Sequence, residues 1–125
     1  MTEDSLSTLR SLCLALPSAR EVEAWGAPTF RVKTMFATYS DGSQYEPPRE
    51  SVWIRAVPVD QALLVDMAPD RFFVPPYVGA KGWIGVFLDT PDLDWDELKK
   101  LLWDAWRMSA PKSLVSSNTE PPLGW

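Results

Sequence analysis

The chain contains no histidine and a single cysteine, Cys13. Ser-His-Asp and Cys-His catalysis are therefore closed to it. So are zinc sites built on histidine or on several cysteines. Cys13 sits on an apolar helical stripe with nothing nearby in sequence to lower its pKa, so it reads as a small core hydrophobe rather than a nucleophile. Five acids, Asp89, Asp92, Asp94, Asp96 and Glu97, crowd one stretch. They lack the glycine and distal glutamate of a calcium loop and read as the acidic start of a helix. Gly79-Ala80-Lys81-Gly82 opens a strand, and Trp83 stands where a phosphate loop carries its hydroxyl, which excludes a P-loop. Contact of Lys81 and backbone amides with an anion stays open. These absences lead us to expect a protein that is not an enzyme and holds no metal or cofactor.

Aromatic and basic residues interleave instead. Strand parity places Phe30, Val32, Val52, Ile54, Ile84, Val86 and Leu88 on one sheet face, towards the helices. Arg31, Lys33, Trp53, Arg55, Trp83 and Phe87 fall on the other. Cations beside flat rings suit stacking on bases or on another protein. The alternative is a covered face, with a loop or the C-terminal segment over the rings and arginines lying across them. Arg71, Tyr77 and Lys81 share one loop and could line an anion pocket, or the loop could be a packed structural segment anchored by Phe72, Phe73, Pro75 and Pro76.

Positioning these residues requires the following elements. A helix is predicted over residues 5–16, where Leu6, Leu9, Leu12, Cys13 and Leu16 form a stripe, Asp4 or Ser5 caps it and Pro17 stops it. Gly26 and Pro28 mark a turn before a strand over 29–32. A second strand covers 35–39 and a third 51–57, with residues 44–50 as a loop between them. A short helix is predicted over 60–67, capped by Asp60, with Ala62, Leu63 and Met67 inward. Residues 71–81 read as a loop and 82–88 as the last strand. Asp94 caps a final helix that Glu97 supports as in a capping box and Pro111 ends. Residues 1–112 form the domain, and 113–125 read as a polar, proline-containing tail. Hairpin-joined strands with helices set apart give an α+β single domain, a mainly antiparallel sheet with helices packed on one face.

At 125 residues, 46% of them hydrophobic, the chain can bury one core. No apolar run is long enough to span a membrane, the first residues are acidic and polar, and one cysteine fits a reducing compartment. The expectation is a cytoplasmic protein with no membrane partner. Twelve Lys and Arg against seventeen Asp and Glu leave a net charge of −5, a poor footprint for nucleic-acid binding. The charge is segregated, however. Residues 71–88 hold two bases and no acid, while 89–97 hold five acids and no base.

The pieces Gly26-Ala27-Pro28-Thr29-Phe30-Arg31-Val32, Met35-Phe36-Ala37, Phe72-Phe73-Val74-Pro75-Pro76-Tyr77-Val78-Gly79, Lys81-Gly82-Trp83-Ile84-Gly85-Val86, Asp94-Trp95-Asp96-Glu97-Leu98 and Ala110-Pro111-Lys112 occur in that order. Together they resemble the MmcQ/YjbR-like family over residues 5–112. The resemblance implies an α+β domain similar to frataxin-like (CyaY-like) and secretion-chaperone-like folds, with part of one sheet face open. It implies DNA as a partner and no enzyme activity, and it supplies no catalytic residue. Iron binding is not carried over, because no acid lies between Asp4 and Glu21. Three functions follow as expectations. The first is a binding module that takes nucleic acid through Arg31, Lys33, Trp53, Arg55, Arg71, Tyr77, Lys81 and Trp83. The second is a protein-interaction module, and the third a binder of a small anionic ligand.

Overall fold

The computed structural model describes residues 4–44 and 48–125. Part of the expected 44–50 loop, residues 45–47, lies outside the described residues. Helix α1 covers Ser5–Leu14 and is followed by β1 (Arg20–Ala24), β2 (Ala27–Arg31), β3 (Met35–Ser40) and β4 (Ser51–Ile54). Then come α2 (Pro58–Met67), β5 (Phe72–Phe73), a 3-10 turn (Val78–Lys81), β6 (Ile84–Phe87), α3 (Trp95–Ser109) and α4 (Lys112–Ser117). The strands form one sheet in the order β1-β2-β3-β4-β6-β5, with every neighbouring pair antiparallel. This is the expected α+β domain, with the helices packed on one face of the sheet.

Cross-strand register explains that arrangement. Phe30, Ala37, Ile54 and Ile84 stand opposite one another along one row and point into the core. All seven sheet positions assigned to the helical side by parity are buried there. Leu9, Cys13 and Leu16 meet them from the α1 segment, and Leu98, Leu102, Ala105 and Trp106 from α3. Register shifts between Phe30 and Arg31, which pair with Ala37 and Met35, so Phe36 bulges and joins its neighbour Ala37 in the core. Trp106 is fully buried, and its indole N–H donates to the Pro17 carbonyl at 3.0 Å, where the α1 segment has stopped.

Caps fix both amphipathic helices. The Asp4 carboxylate accepts from the Ser7 amide at 2.7 Å, and Asp94 accepts from the Glu97 amide at 3.1 Å. Four of the five acids of the acidic stretch are accounted for, since besides the cap Asp94, Asp89 pairs with Arg49, Glu97 with Arg71 and Asp96 with Lys99. Burial pushes the Cys13 thiol well up, with the Glu21 charge adding to it, so the group stays protonated and inert. No helix among the described residues is long and apolar enough to cross a membrane.

Several expected boundaries are corrected. Strand β1 falls where sequence marked none, because its charged residues hide a short alternation that ends in a two-residue turn. Helix α2 starts at Pro58 with Val57 as its N-cap, not at Asp60. Leu64 and Val65 pack on the core, while Ala62, Leu63 and Met67 are exposed. Apolar residues surround this helix, so periodicity leaves its rotation undefined. Its neighbours set it: Gln61 Nε2 donates to the Gly79 and Trp83 carbonyls at 2.8 and 2.6 Å. The third strand ends at Ile54 rather than Val57. The 71–81 loop contains β5 and the 3-10 turn, and the last strand narrows to Ile84–Phe87. Residues 113–125 include most of α4 and return Trp125 to α1, where its indole N–H donates to the Leu12 carbonyl.

Candidate functional site

A second row of side chains faces away from the helices. Thr29 stands opposite Thr38, Thr38 opposite Trp53, Trp53 opposite Gly85, and Gly85 opposite Phe73. Gly85 has to lack a side chain, since a Cβ there would lie 2.4 Å from the Phe73 ring. That ring stacks on Phe87 at 4.6 Å, and the Arg49 guanidinium lies 3.7 Å above Phe87. Trp53, Trp83 and Phe87 are consequently buried, which corrects the expectation of an open face here. Of the two arrangements sequence left open, the covered one is seen at Phe87, which lies under Phe73 and the Arg49 guanidinium.

Thr38 and Trp53, although themselves buried, border an opening in the surface. A half-open cleft of about 520 Å³ lies there, a size suited to a small organic ligand. Its walls come from three turns: the β1–β2 hairpin with Trp25 and Pro28, the 40–44 turn with Asp41, and the Tyr77-Val78 step. Trp53 Nε1 donates to Ser51 Oγ at 3.2 Å, and Trp53 is among the residues that line the cleft.

Two of the wall residues adopt backbone conformations that bulky side chains avoid. Trp25 and Gly26 are the centre of the β1–β2 turn, with φ of 54° and 75°. Positive φ at both centres is what a type I′ hairpin turn requires, and asparagine or glycine normally supplies the first. Tyr77 has φ 63° and ψ −64°, and the Val78 amide donates back to the Pro76 carbonyl at 2.7 Å. That is a γ-turn with positive φ, a rare and strained form. The four non-glycine residues with positive φ among those described are Ser18, Trp25, Tyr77 and Asp92, so two of them flank this cleft with rings 72% and 79% exposed. Strained backbone tends to cluster at functional sites, where the surrounding structure holds it in place.

The polar groups of the lining are mostly engaged. Thr38 Oγ1 donates to the Pro28 carbonyl at 3.4 Å, and Ser40 Oγ accepts from the Gly42 amide at 3.2 Å. The Asp41 carboxylate accepts from the Ser43 hydroxyl at 2.6 Å and its amide at 2.9 Å. Those two bonds, hydroxyl first, hold the Asp41 carboxyl below the usual carboxylate range, so it is charged at neutral pH. Among the described residues of the lining, Asp41 is the one acid, and there is no lysine or arginine. Tyr39 donates its hydroxyl to Glu50, and burial followed by that bond raises its pKa.

Of the eight residues singled out by sequence, Trp53 and Tyr77 meet at the cleft. Arg31 shares the outer row and donates from Nε to Thr29 Oγ1 at 3.1 Å. Lys33 is exposed in the β2–β3 turn and Lys81 at the end of the 3-10 turn. Arg55 lies one residue past the end of β4, its amide still donating to the Phe36 carbonyl of β3, and its side chain bonds Ser109 Oγ at 3.0 Å and Thr34 Oγ1 at 3.3 Å. Arg71 pairs with Glu97 at 2.7 Å, and Trp83 is buried. Arg31, Trp53, Arg55 and Trp83 thus do not form one open face. Sequence reasoning missed Trp25, Asp41 and Met35 as cleft residues. The available signal was Trp25-Gly26 read as a two-residue hairpin turn, which would also have revealed β1.

A family model described as YjbR matches residues 14–108. The fold is similar to the crystal structure of Deinococcus radiodurans protein DR2400, a DUF419-domain protein, with a TM-score of 0.73 at 19% identity, covering 91% of this chain and 87% of that one. No curated protein matches the chain.

Proposed function

The chain belongs to the YjbR family, and we propose that this member is a non-enzymatic binding module whose ligand sits in the cleft between Trp25, Trp53 and Tyr77. The observation that carries this reading is the pair of exposed rings held at positive φ on either side of one cleft. Catalysis finds little support in the lining. Asp41 is already ionised and Tyr39 is committed to Glu50, so neither is a proton donor or acceptor tuned to neutral pH.

Duplex DNA is less well served, because Arg10, Arg49 and Arg71 are each held by a carboxylate. The test is a titration followed by amide and indole N–H resonances, once with a mixture of small aromatic and aliphatic fragments and once with duplex DNA at low salt. Shifts confined to Trp25, Thr38, Trp53 and Val78 with the fragments are expected. Shifts centred on Lys33 and Lys81 with DNA, and none at the cleft with fragments, would overturn the reading.

A further inference from the structure

We propose that the outward face of α2 docks a basic amphipathic helix of a partner protein. No residue of α2 lines the cleft, so this is a second surface. The helix is held from its inner side: Leu64 and Val65 pack on the core, and Gln61 bonds the Gly79 and Trp83 carbonyls. The outer side of a surface helix is normally polar. Here Val59, Leu63 and Met67, spaced four residues apart, form a row that is 64%, 55% and 76% exposed. Ala62, also exposed, widens it. Apolar side chains gathered on one face mark an interaction surface, and methionine adapts to a partner's shape.

Three acids frame the row and set the partner's charge. Asp66 follows Ala62 by one turn, Asp60 stands on the opposite side, and Asp70 lies beyond the helix end. All three are exposed, and none enters an ion pair among the described residues. Residues 56–70 contain no lysine or arginine. At Asp60 the surface dips into an open depression of about 340 Å³, which Asp104, Arg107, Met108 and Val115 also line. Lys100 pairs with Asp104 at 3.6 Å, and Arg107 is the one base of that lining among the described residues. An occupant therefore meets an apolar ridge with three unpaired acids against one arginine. A second copy of the chain fits poorly, since two α2 rows laid together would bring these aspartates against themselves. The row from Val59 to Met67 runs about 12 Å, two helical turns. A partner helix matches that length with apolar side chains at i, i+4 and i+7, and lysines or arginines beside them reach the acids.

The experiment titrates the whole chain into three labelled peptides of about fourteen residues, four helical turns, and follows anisotropy. The first carries leucines at i, i+4, i+7 and i+11 with lysines beside them. The second has glutamates for the lysines, and the third shuffles the first so that its apolar face is lost. The first is expected to bind at least tenfold tighter than either of the others, and more weakly as salt is added. Leu63→Gln and Met67→Gln together should weaken it at least tenfold while cooperative thermal unfolding is retained. Asp60→Asn, Asp66→Asn and Asp70→Asn together should bring the preference for lysines over glutamates below threefold. Equal binding of those two peptides would overturn the basic partner. Equal binding of the shuffled peptide, or binding that both sets of substitutions leave unchanged, would overturn the α2 face. No binding of the first peptide at about 1 mM would overturn the proposal outright. A dimer in sedimentation that Leu63→Gln and Met67→Gln dissociate would assign the face to a second copy instead.

Discussion

Trp125 donates its indole N–H to the backbone carbonyl of Leu12, 2.9 Å away and 113 residues earlier. The contact satisfies a carbonyl in the last turn of α1 and lays a partly buried ring on the core. Trp125→Ala should lower stability by on the order of 2 kcal/mol, from one hydrogen bond plus partial loss of an aromatic contact. A urea midpoint unchanged from wild type would show that the C-terminal residues are held by other contacts.

At the other end of the core, Asp94 caps α3 through the Glu97 amide. Asp94→Ala should cost about 1 kcal/mol, and Asp94→Ser or Asn should recover most of it. Denaturant unfolding separates the three variants.

Gly82 and Gly79 should respond differently to alanine. Gly82 has φ 98°, and a Cβ there would lie 2.6 Å from the Pro58 backbone nitrogen. Gly79 lacks the positive φ, and its Cβ would meet the Cγ1 methyl of Val74, an exposed side chain. Gly82→Ala should cost roughly 2 kcal/mol or more and Gly79→Ala about half that. Equal costs in thermal unfolding would mean that the turn adapts.

Tyr39 should ionise late. Burial first, then the bond to Glu50, raise its pKa above the ordinary value of 10.0. A raised folded pKa means that the folded state holds its proton longer than the unfolded chain. The stabilisation is complete below about pH 10 and is lost as pH rises through the folded value. Absorbance at 295 nm should contain a component that appears only with alkaline unfolding, and Tyr39→Phe should remove it.

Helix α2 offers a tolerance test. Leu63 and Met67 are 55% and 76% exposed, whereas Leu64 packs on the core. Leu63→Gln and Met67→Gln should each stay within about 0.5 kcal/mol of wild type, and Leu64→Ala should cost about 2 kcal/mol. The reverse order would restore the rotation expected from sequence.

Sheet parity was the most legible feature. Alternation at Phe30 and Val32, Val52 and Ile54, and Ile84, Val86 and Leu88 placed every one of those side chains in the core, because a one-residue slip would expose a whole row. Caps were legible too, since Asp4 and Asp94 act within three residues. The rotation of α2 was not, because Gln61 fixes it through carbonyls about twenty residues away. Arg55 illustrates a further limit: parity applies only while a strand lasts, and beyond Ile54 the side chain turns to α3. The cleft was hidden for a related reason. Its walls are turns whose φ signs are set by neighbouring strands, and neither Trp25 nor Tyr77 is a residue type that announces positive φ.

The sheet order leaves β1 and β5 as its two borders. A border strand is a template on which another chain can grow, and long, flat, apolar borders seed aggregates. Here one border spans only Phe72–Phe73, and the other carries Arg20, Glu21 and Glu23 among its five residues. Glu21 is further clasped by Arg10 through two bonds, at 2.6 and 3.0 Å. A second copy approaching β1 would have to bring charge against charge, and one approaching β5 would find almost nothing to extend. Both borders thus carry the short length or the charge that disfavours strand-to-strand growth.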